Sequence, residues 1–386
     1  MESSSKKKMA AGGDQSADSP KSSTSSLIWG LLEVSEKAAR IARECRARKE
    51  LFDLLVEEKI GKDKNPRMAQ DFKTLTDVLV QETVKHNLCA KWPVLKSNIL
   101  GEENNLFTNA KGQGILVEVK STEEETANLL EQVLDGNSAA AALLARAVHQ
   151  EPEVEQVVRA DFNRLKNALD KQDVLLEDIG IWIDPIDGTF EYIAGMWDAD
   201  SASDPTIPLE QQRPHRKGLR CCTVLIGGFS KSSGSPIFSA VSQPFATPHA
   251  GPTTTFFCAR SIHNVPHLPV KYNVVVSTVE EQDILEKLER ASLTVTHASG
   301  AGYKLLMVAL GWCDAYVLTQ GSTFRWDTCA PQALLQAQGG GMRQFNSKKP
   351  IRYDVYDKQL ACNTGGLIAY RNEAICRKIL SVLEIE

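Results

Sequence analysis

Ile179-Gly180-Ile181-Trp182-Ile183-Asp184-Pro185-Ile186-Asp187-Gly188-Thr189 joins an apolar run to two carboxylates three residues apart. The run reads as a strand buried on both faces, the kind that helices cover in a layered sheet. Pro185 fixes its own φ and biases Asp184 towards an extended conformation. Asp184 therefore reads as the last residue of the strand, with Asp187 on the turn beyond it. Gly188 lets the backbone approach a ligand closely, and Thr189 offers a hydroxyl where a helix over Phe190–Met196 is expected. Amides at a helix start favour a phosphate by orientation and by dipole. Carboxylates held this close suit hard divalent cations, Mg²⁺ foremost, which takes oxygen ligands and commonly sits between carboxylates and substrate phosphates. The same residues would also serve a plain strand-to-turn connection, with Asp as cap and Gly as bend.

Further carboxylates occupy similar places. Glu102-Glu103 follow the apolar Ile99-Leu100-Gly101, and Asp77 lies in a helical pattern over Phe72–Val80. Phe324-Arg325-Trp326-Asp327-Thr328-Cys329-Ala330-Pro331 puts Asp327 just before a helix rich in Ala, Leu and Gln. Singly, each has a structural use, since Glu pairs are solvated and an Asp ahead of a helix is its N-cap. Ser299-Gly300-Ala301-Gly302-Tyr303-Lys304 reads either as an anion nest ending in a lysine or as a glycine turn into a helix. Ser277, ahead of a helix expected from Val279, could add hydroxyl and amide contacts.

Taken in order, D-x-x-x-x-x-D (Asp71 to Asp77), G-E-E, W-I-D-P-I-D-G-T and W-D-x-x-A-P resemble the Mg²⁺-dependent, lithium-sensitive phosphatases of the inositol monophosphatase superfamily. The likeness runs from about Leu27 to the C-terminus. Gln70–Leu75, Lys217-Gly218-Leu219, Thr223–Gly227, Gly300–Lys304, Gly339–Met342 and Gly365–Tyr370 are most similar to one branch. That branch removes the 1-phosphate from inositol 1,4-bisphosphate and inositol 1,3,4-trisphosphate.

The resemblance implies a layered α-β-α-β-α sandwich and phosphate monoester hydrolysis by metal-activated water, with two or three Mg²⁺ per site and inhibition by Li⁺. By the same resemblance Glu102, Asp184 and the Ile186 carbonyl hold the main metal, and Asp184, Asp187 and Asp327 a second. Glu103 lies near a more weakly held one. Thr189 holds the attacking water and is polarised by Asp77, which joins Glu103 as a catalytic carboxylate in the metal set. Asp187 and the Gly188 and Thr189 amides hold the scissile phosphate. Ser299, Gly300, Ala301, Lys304 and Ser277 are candidates for a phosphate that is not cleaved. Two alternatives stay open: a 3′(2′),5′-bisphosphate nucleotidase, which would share the metal centre, and an inositol phosphate-binding pseudo-phosphatase. Against the second, every expected carboxylate is present.

Composition bounds the rest. At 386 residues the chain is one large domain or two closely joined ones, and 42% apolar with 24% charged residues is ordinary for a globular enzyme. A net charge of −5 argues against nucleic acid or an acidic membrane as partner, but not against a polyanionic small molecule whose site holds Mg²⁺. The nine cysteines include no C-x-x-C pair and the seven histidines form no ligand cluster, so zinc is not expected. Free thiols, no secretory pattern behind Lys6-Lys7-Lys8 and no bilayer-length apolar run make a cytoplasmic monomer the expectation.

Along the chain, Met1–Ser26 reads as a disordered tail, 27–196 as an α+β half with most metal ligands, and 197–386 as an α/β half with substrate-binding elements and Asp327. Apolar spacing predicts helices over Leu27 to about Lys59 and Met68–Leu88. A strand near Ser97–Leu100 is expected, with another over Gly114–Val119 pairing near it. Thr122 with Glu125 resembles a capping box. Trp197–Arg216 is polar and proline-punctuated, and reads as a lid or peripheral excursion. Strands dominate from Arg220 to Ser277, and strands and helices alternate thereafter.

Overall fold

The strand with the acidic motif spans Ile179–Asp187 and lies next to one edge of a six-stranded sheet. Its order is Ile262–His263, Thr254–Ala259, Pro236–Gln243, Thr223–Ser230, Ile179–Asp187 and Ile99–Gly101. Only the last pairing, Ile99–Gly101 on Ile181–Ile183, is parallel. The computed structural model describes residues 23–47, 56–59, 72–197, 214–246, 253–266 and 272–384.

Period-2 alternation divides this sheet between two cores. Ile179, Ile181, Ile183, Val224, Ile226, Phe238 and Ala240 face the helices Thr24–Arg46 and Leu75–Lys91. Trp182, Leu225, Phe229 and Val241 face the opposite way, onto the helices Ala301–Ala309 and Arg325–Ala337. Those two helices also bury the inner face of a second sheet, ordered Thr294–His297, Asn273–Val276, Ala315–Leu318, Leu367–Tyr370 and Gly341–Gln344. Its outer face, with Val274, Val276, Val317 and Ile368, packs on Gln282–Arg290 and Glu373–Val382. The layers are thus helix, sheet, helix, sheet, helix, as expected. At Gly227 a Cβ would lie 2.4 Å from the Ala330 amide nitrogen, so only glycine admits the Arg325–Ala337 helix at this distance from the sheet.

Several expectations are corrected. The first helix starts at Thr24, capped by the Ser23 hydroxyl, and ends at Arg46. Val56–Glu58 is instead a strand paired with Phe72–Thr74, where ladder hydrogen bonds replace the helical ones. The second helix starts at Leu75 rather than Met68, because Thr74 and Asp77 form a reciprocal capping box. Gly114–Leu116 pairs with Leu106–Thr108, not with Ile99–Gly101. The central strand does not end at Asp184: after a bulge at Pro185-Ile186 the ladder resumes at Asp187, opposite Thr223. A proline cannot donate to the ladder, and a bulge is where a strand tolerates one. The six-stranded sheet takes strands from both sides of residue 196, and sheet membership changes over between His263 and Asn273. The expected tail lies outside the described residues up to 22, as does the expected lid from 198 to 213. The Thr122–Glu125 capping box forms as read, opening the helix Glu123–Val133. No helix among the described residues is long and apolar enough to cross a membrane.

Candidate metal centre

Asp184, Asp187 and Asp327 converge, each offering a carboxylate oxygen within 4.8 Å of the others, and all three are buried. The bulge sets Asp184 and Asp187 apart along one strand end while keeping both near the same point. Asp327 arrives on the first turn of Arg325–Ala337 rather than just ahead of it, and its Oδ2 accepts the Phe324 amide at 2.5 Å. Burial, then the charges of Glu102, Asp187 and Asp327, push the Asp184 carboxyl well above the usual carboxylate range. Burial followed by Asp187 and Glu102 does the same to Asp327. Asp184 Oδ1 has no hydrogen-bond partner at all. Carboxyls gathered out of water, with an orphaned oxygen among them, form a set that a divalent cation would satisfy. An all-oxygen donor set is one that Mg²⁺ fits.

Glu102 and Glu103 stand at the end of the neighbouring parallel strand, where the Glu102 amide donates to the Ile183 carbonyl at 3.1 Å. Gln81 clamps the Glu103 backbone from both sides, accepting its amide at 2.9 Å and donating to its carbonyl at 2.8 Å. The Lys59 ammonium bridges the two carboxylates, 2.7 Å from Glu102 and 2.6 Å from Glu103. Even so, burial pushes Glu103 up to about 8. Lys358 adds its Nζ to the carbonyls of Glu102 and Glu103 at 3.0 and 2.9 Å. Gln81, Lys59 and Lys358 were not anticipated. Gln81 lies four residues after Asp77 on one helix face, a readable signal. The two lysines had none.

The expected partnership of Thr189 with Asp77 is absent as a direct hydrogen bond. Thr189 Oγ1 donates to the Ile186 carbonyl at 3.0 Å. Asp77 Oδ2 accepts from the amide and hydroxyl of Thr74, both at 2.6 Å, while Oδ1 is buried without a partner. Burial raises Asp77 to about 7. The two elements are nonetheless stitched together, since the Tyr192 hydroxyl lies 3.2 Å from Thr76 Oγ1.

The Ser299–Lys304 turn also differs from expectation. Asp187 takes the amides of Ala301 and Gly302 at 3.0 Å each and that of Tyr303 at 3.4 Å. The chain's own carboxylate therefore fills the nest that was expected to take a substrate phosphate. Gly300, at φ 73°, has the Cys221 carbonyl and Asp187 Oδ2 within 2.9 Å of where a Cβ would stand, which reserves the position for glycine. Lys304 is buried: its Nζ donates to the Ala298 carbonyl at 3.2 Å and lies 5.4 Å from the centre of the Tyr316 ring. Burial lowers its pKa, and Asp187 opposes the shift. Ser277 and Ser299 both stand just past the C-terminal ends of parallel strands, where open sheets of this type bind ligands.

The sequence pattern of the inositol monophosphatase family matches residues 31–383. Inositol polyphosphate 1-phosphatase of Mus musculus is 38% identical over 90% of this chain and 94% of its own. 3′(2′),5′-bisphosphate nucleotidase 1 of Rattus norvegicus is 26% identical over 78% of this chain and 79% of its own. Among solved structures, extragenic suppressor protein suhB from Bartonella henselae superposes with a TM-score of 0.52 at 14% identity, covering 93% of this chain and 98% of that one. That last likeness is one of fold.

Proposed function

We propose, from the premise that the chain belongs to the inositol monophosphatase family, that the carboxylate cluster is the Mg²⁺ centre of an inositol polyphosphate 1-phosphatase. The chain is a phosphatase of that family. The observation that carries the site is the meeting of Asp184, Asp187 and Asp327, buried and with Asp184 Oδ1 unpartnered. The substrate assignment, inositol 1,4-bisphosphate and inositol 1,3,4-trisphosphate, draws on the mouse relative, whose match is both closer and longer than that of the nucleotidase.

Glu102, Asp184 and the Ile186 carbonyl would hold one Mg²⁺, and Asp184, Asp187 and Asp327 a second. Glu103 borders a third, weaker position that Lys59 now neutralises. Mg²⁺ bound there neutralises charge developing on phosphoryl and leaving oxygens and makes bound water more acidic. The chain's own groups do the remainder. Thr189 Oγ1 exchanges its bond to the Ile186 carbonyl for one that orients the attacking water. Asp77, whose Oδ1 is buried without a partner, would accept the proton that the attacking water gives up. The Gly188 and Thr189 amides, at the start of the helix Thr189–Ala194, receive the scissile phosphate. Lys304, Ser299 and Ser277 frame the retained phosphate. Lithium is expected to inhibit, because the full acidic set would offer it a weak site. Nine cysteines with no disulfide among the described residues support a reducing, cytoplasmic setting.

The test is phosphate release with Mg²⁺ from inositol 1,4-bisphosphate, inositol 1-phosphate and adenosine 3′,5′-bisphosphate, with and without LiCl. The first substrate is expected to be preferred, yielding inositol 4-phosphate, with turnover suppressed by lithium. Preference for the adenosine compound would move the chain to the nucleotidase branch. No turnover of any of the three sinks the catalytic assignment.

A further inference from the structure

The segment from Tyr353 to Asn363 is tied to the elements that carry Glu102, Glu103, Asp184, Asp187 and Asp327. At its start, the Tyr353 carbonyl accepts Trp182 Nε1 at 3.0 Å, two residues before Asp184. At its end, the Ala361 carbonyl accepts the Arg325 amide at 3.0 Å, two residues before Asp327. The Arg325 guanidinium hydrogen-bonds the Asn363 side chain, and its Nε donates to the Arg352 carbonyl at 2.6 Å. Between these anchors, Lys358 reaches the Glu102 and Glu103 carbonyls across more than 250 residues of sequence. The outer side of this strap is exposed at Tyr356 and Leu360.

Lys358 and Lys59 act on the two glutamates in different ways. Lys59 pairs with their carboxylates, the groups a metal would use. Lys358 bonds only their peptide carbonyls, so it leaves the carboxylates available while fixing where they start. Such fixing matters because burial and neighbouring charge make it costly to hold the carboxyls of Asp184 and Asp327 together in ionised form, the form a metal would use. A site held together in advance binds its ligand more tightly than one that must first be gathered.

We propose that Lys358, carried on this strap, is a positioning residue for the metal centre, holding the Glu102-Glu103 peptides in register with Asp184 and Asp327. The inference rests on the metal-centre assignment made above.

Thermal unfolding of the full chain, followed as MgCl₂ is titrated, tests it without any turnover measurement, since a ligand that binds the folded state raises the midpoint by mass action. Lys358→Met is expected to move the Mg²⁺ concentration giving half the rise in Tm upwards by about tenfold or more, the scale of one charge-assisted hydrogen bond. Lys358→Arg, which keeps a charged donor, is expected to restore most of the loss. If Lys358→Met does not fold, Lys358→Gln carries the same comparison. An unchanged Mg²⁺ midpoint in the folded variant overturns the inference, as does a fall in metal-free Tm with no change in Mg²⁺ dependence. Failure of the wild-type chain to respond to Mg²⁺ overturns the metal centre itself, so the two failures are distinguishable.

Discussion

Asp184 carries the most chemistry of any single residue, and its surroundings predict two opposite effects of one substitution. On the proposed assignment, in which two metal positions share Asp184, Asp184→Asn is expected to lower turnover at least about a thousand-fold, the rate equivalent of ~4 kcal/mol. In metal-free protein the same change removes a carboxyl whose ionisation burial and the charges of Glu102, Asp187 and Asp327 disfavour in the fold but not in the unfolded chain. The Tm without Mg²⁺ is therefore expected to rise, by about 2 °C or less per kcal/mol gained in a chain of 386 residues. Kinetic assay and calorimetry on one preparation check both, and near-native turnover would remove Asp184 from the centre. At this scale much is legible: the chemistry of one short motif points to Asp184 and Asp187, and the family resemblance adds Asp327. Their immediate bonds are not. That Asp187 caps Ala301–Tyr303, and that Thr189 donates to Ile186, depends on distances between segments that no local pattern encodes.

At the scale of elements, the helix Arg325–Ala337 is both a core layer and the carrier of Asp327. Its seat on the six-stranded sheet is set at Gly227, where Ala330 backbone atoms lie 2.4 and 2.8 Å from a would-be Cβ. Gly227→Ala must displace backbone rather than a side-chain end, at a cost of about 1–3 kcal/mol. Because the displaced helix also carries Asp327, weaker Mg²⁺ protection against thermal unfolding is expected alongside the lower Tm. A Tm loss with unchanged Mg²⁺ response would show that the helix adjusts without moving its first turn. Most elements were readable here from apolar periodicity, and the Thr122 box was readable from its spacing. The missed boundaries have local causes. Thr74 and Asp77 cap a helix whose apolar pattern continues upstream, and Pro185 hides a strand that resumes past it. Leu106–Thr108 and Gly341–Gln344 are too short to announce themselves in sequence.

For the molecule as a whole, the buried carboxylates make stability depend on pH in a direction opposite to the usual. Asp77 and Glu103 titrate in the fold at about 7 and about 8, above their ordinary values of 3.8 and 4.5. Their folded forms keep protons that the unfolded chain has already released, so stability is fullest below the ordinary values. It is lost as pH rises through 7 and 8. Metal-free protein is therefore expected to melt higher near pH 5 than near pH 8, with Mg²⁺ reversing the order by stabilising the ionised set. Melting curves at both pH values, with and without Mg²⁺, check this, and a metal-free Tm that climbs with pH would contradict it. The layered architecture was legible from the order of strand-rich and alternating stretches. The way both halves share the six-stranded sheet was not, because pairing of Ile179–Asp187 with Thr223–Ser230 spans the polar stretch between them.

The long reach of Lys358 to Glu102 and Glu103 also bears on the life of the chain before it is complete. Parts that must meet at the centre are made near the beginning, middle and end of synthesis, and chains fold from the N-terminus as they emerge. The N-terminal helices and the first strands can collapse early, but their clustered acids then wait for Asp327 and the strap. Until residues 353–363 leave the ribosome, the nascent chain has no finished place for a cation, although the helices Ala301–Ala309 and Arg325–Ala337 are already made.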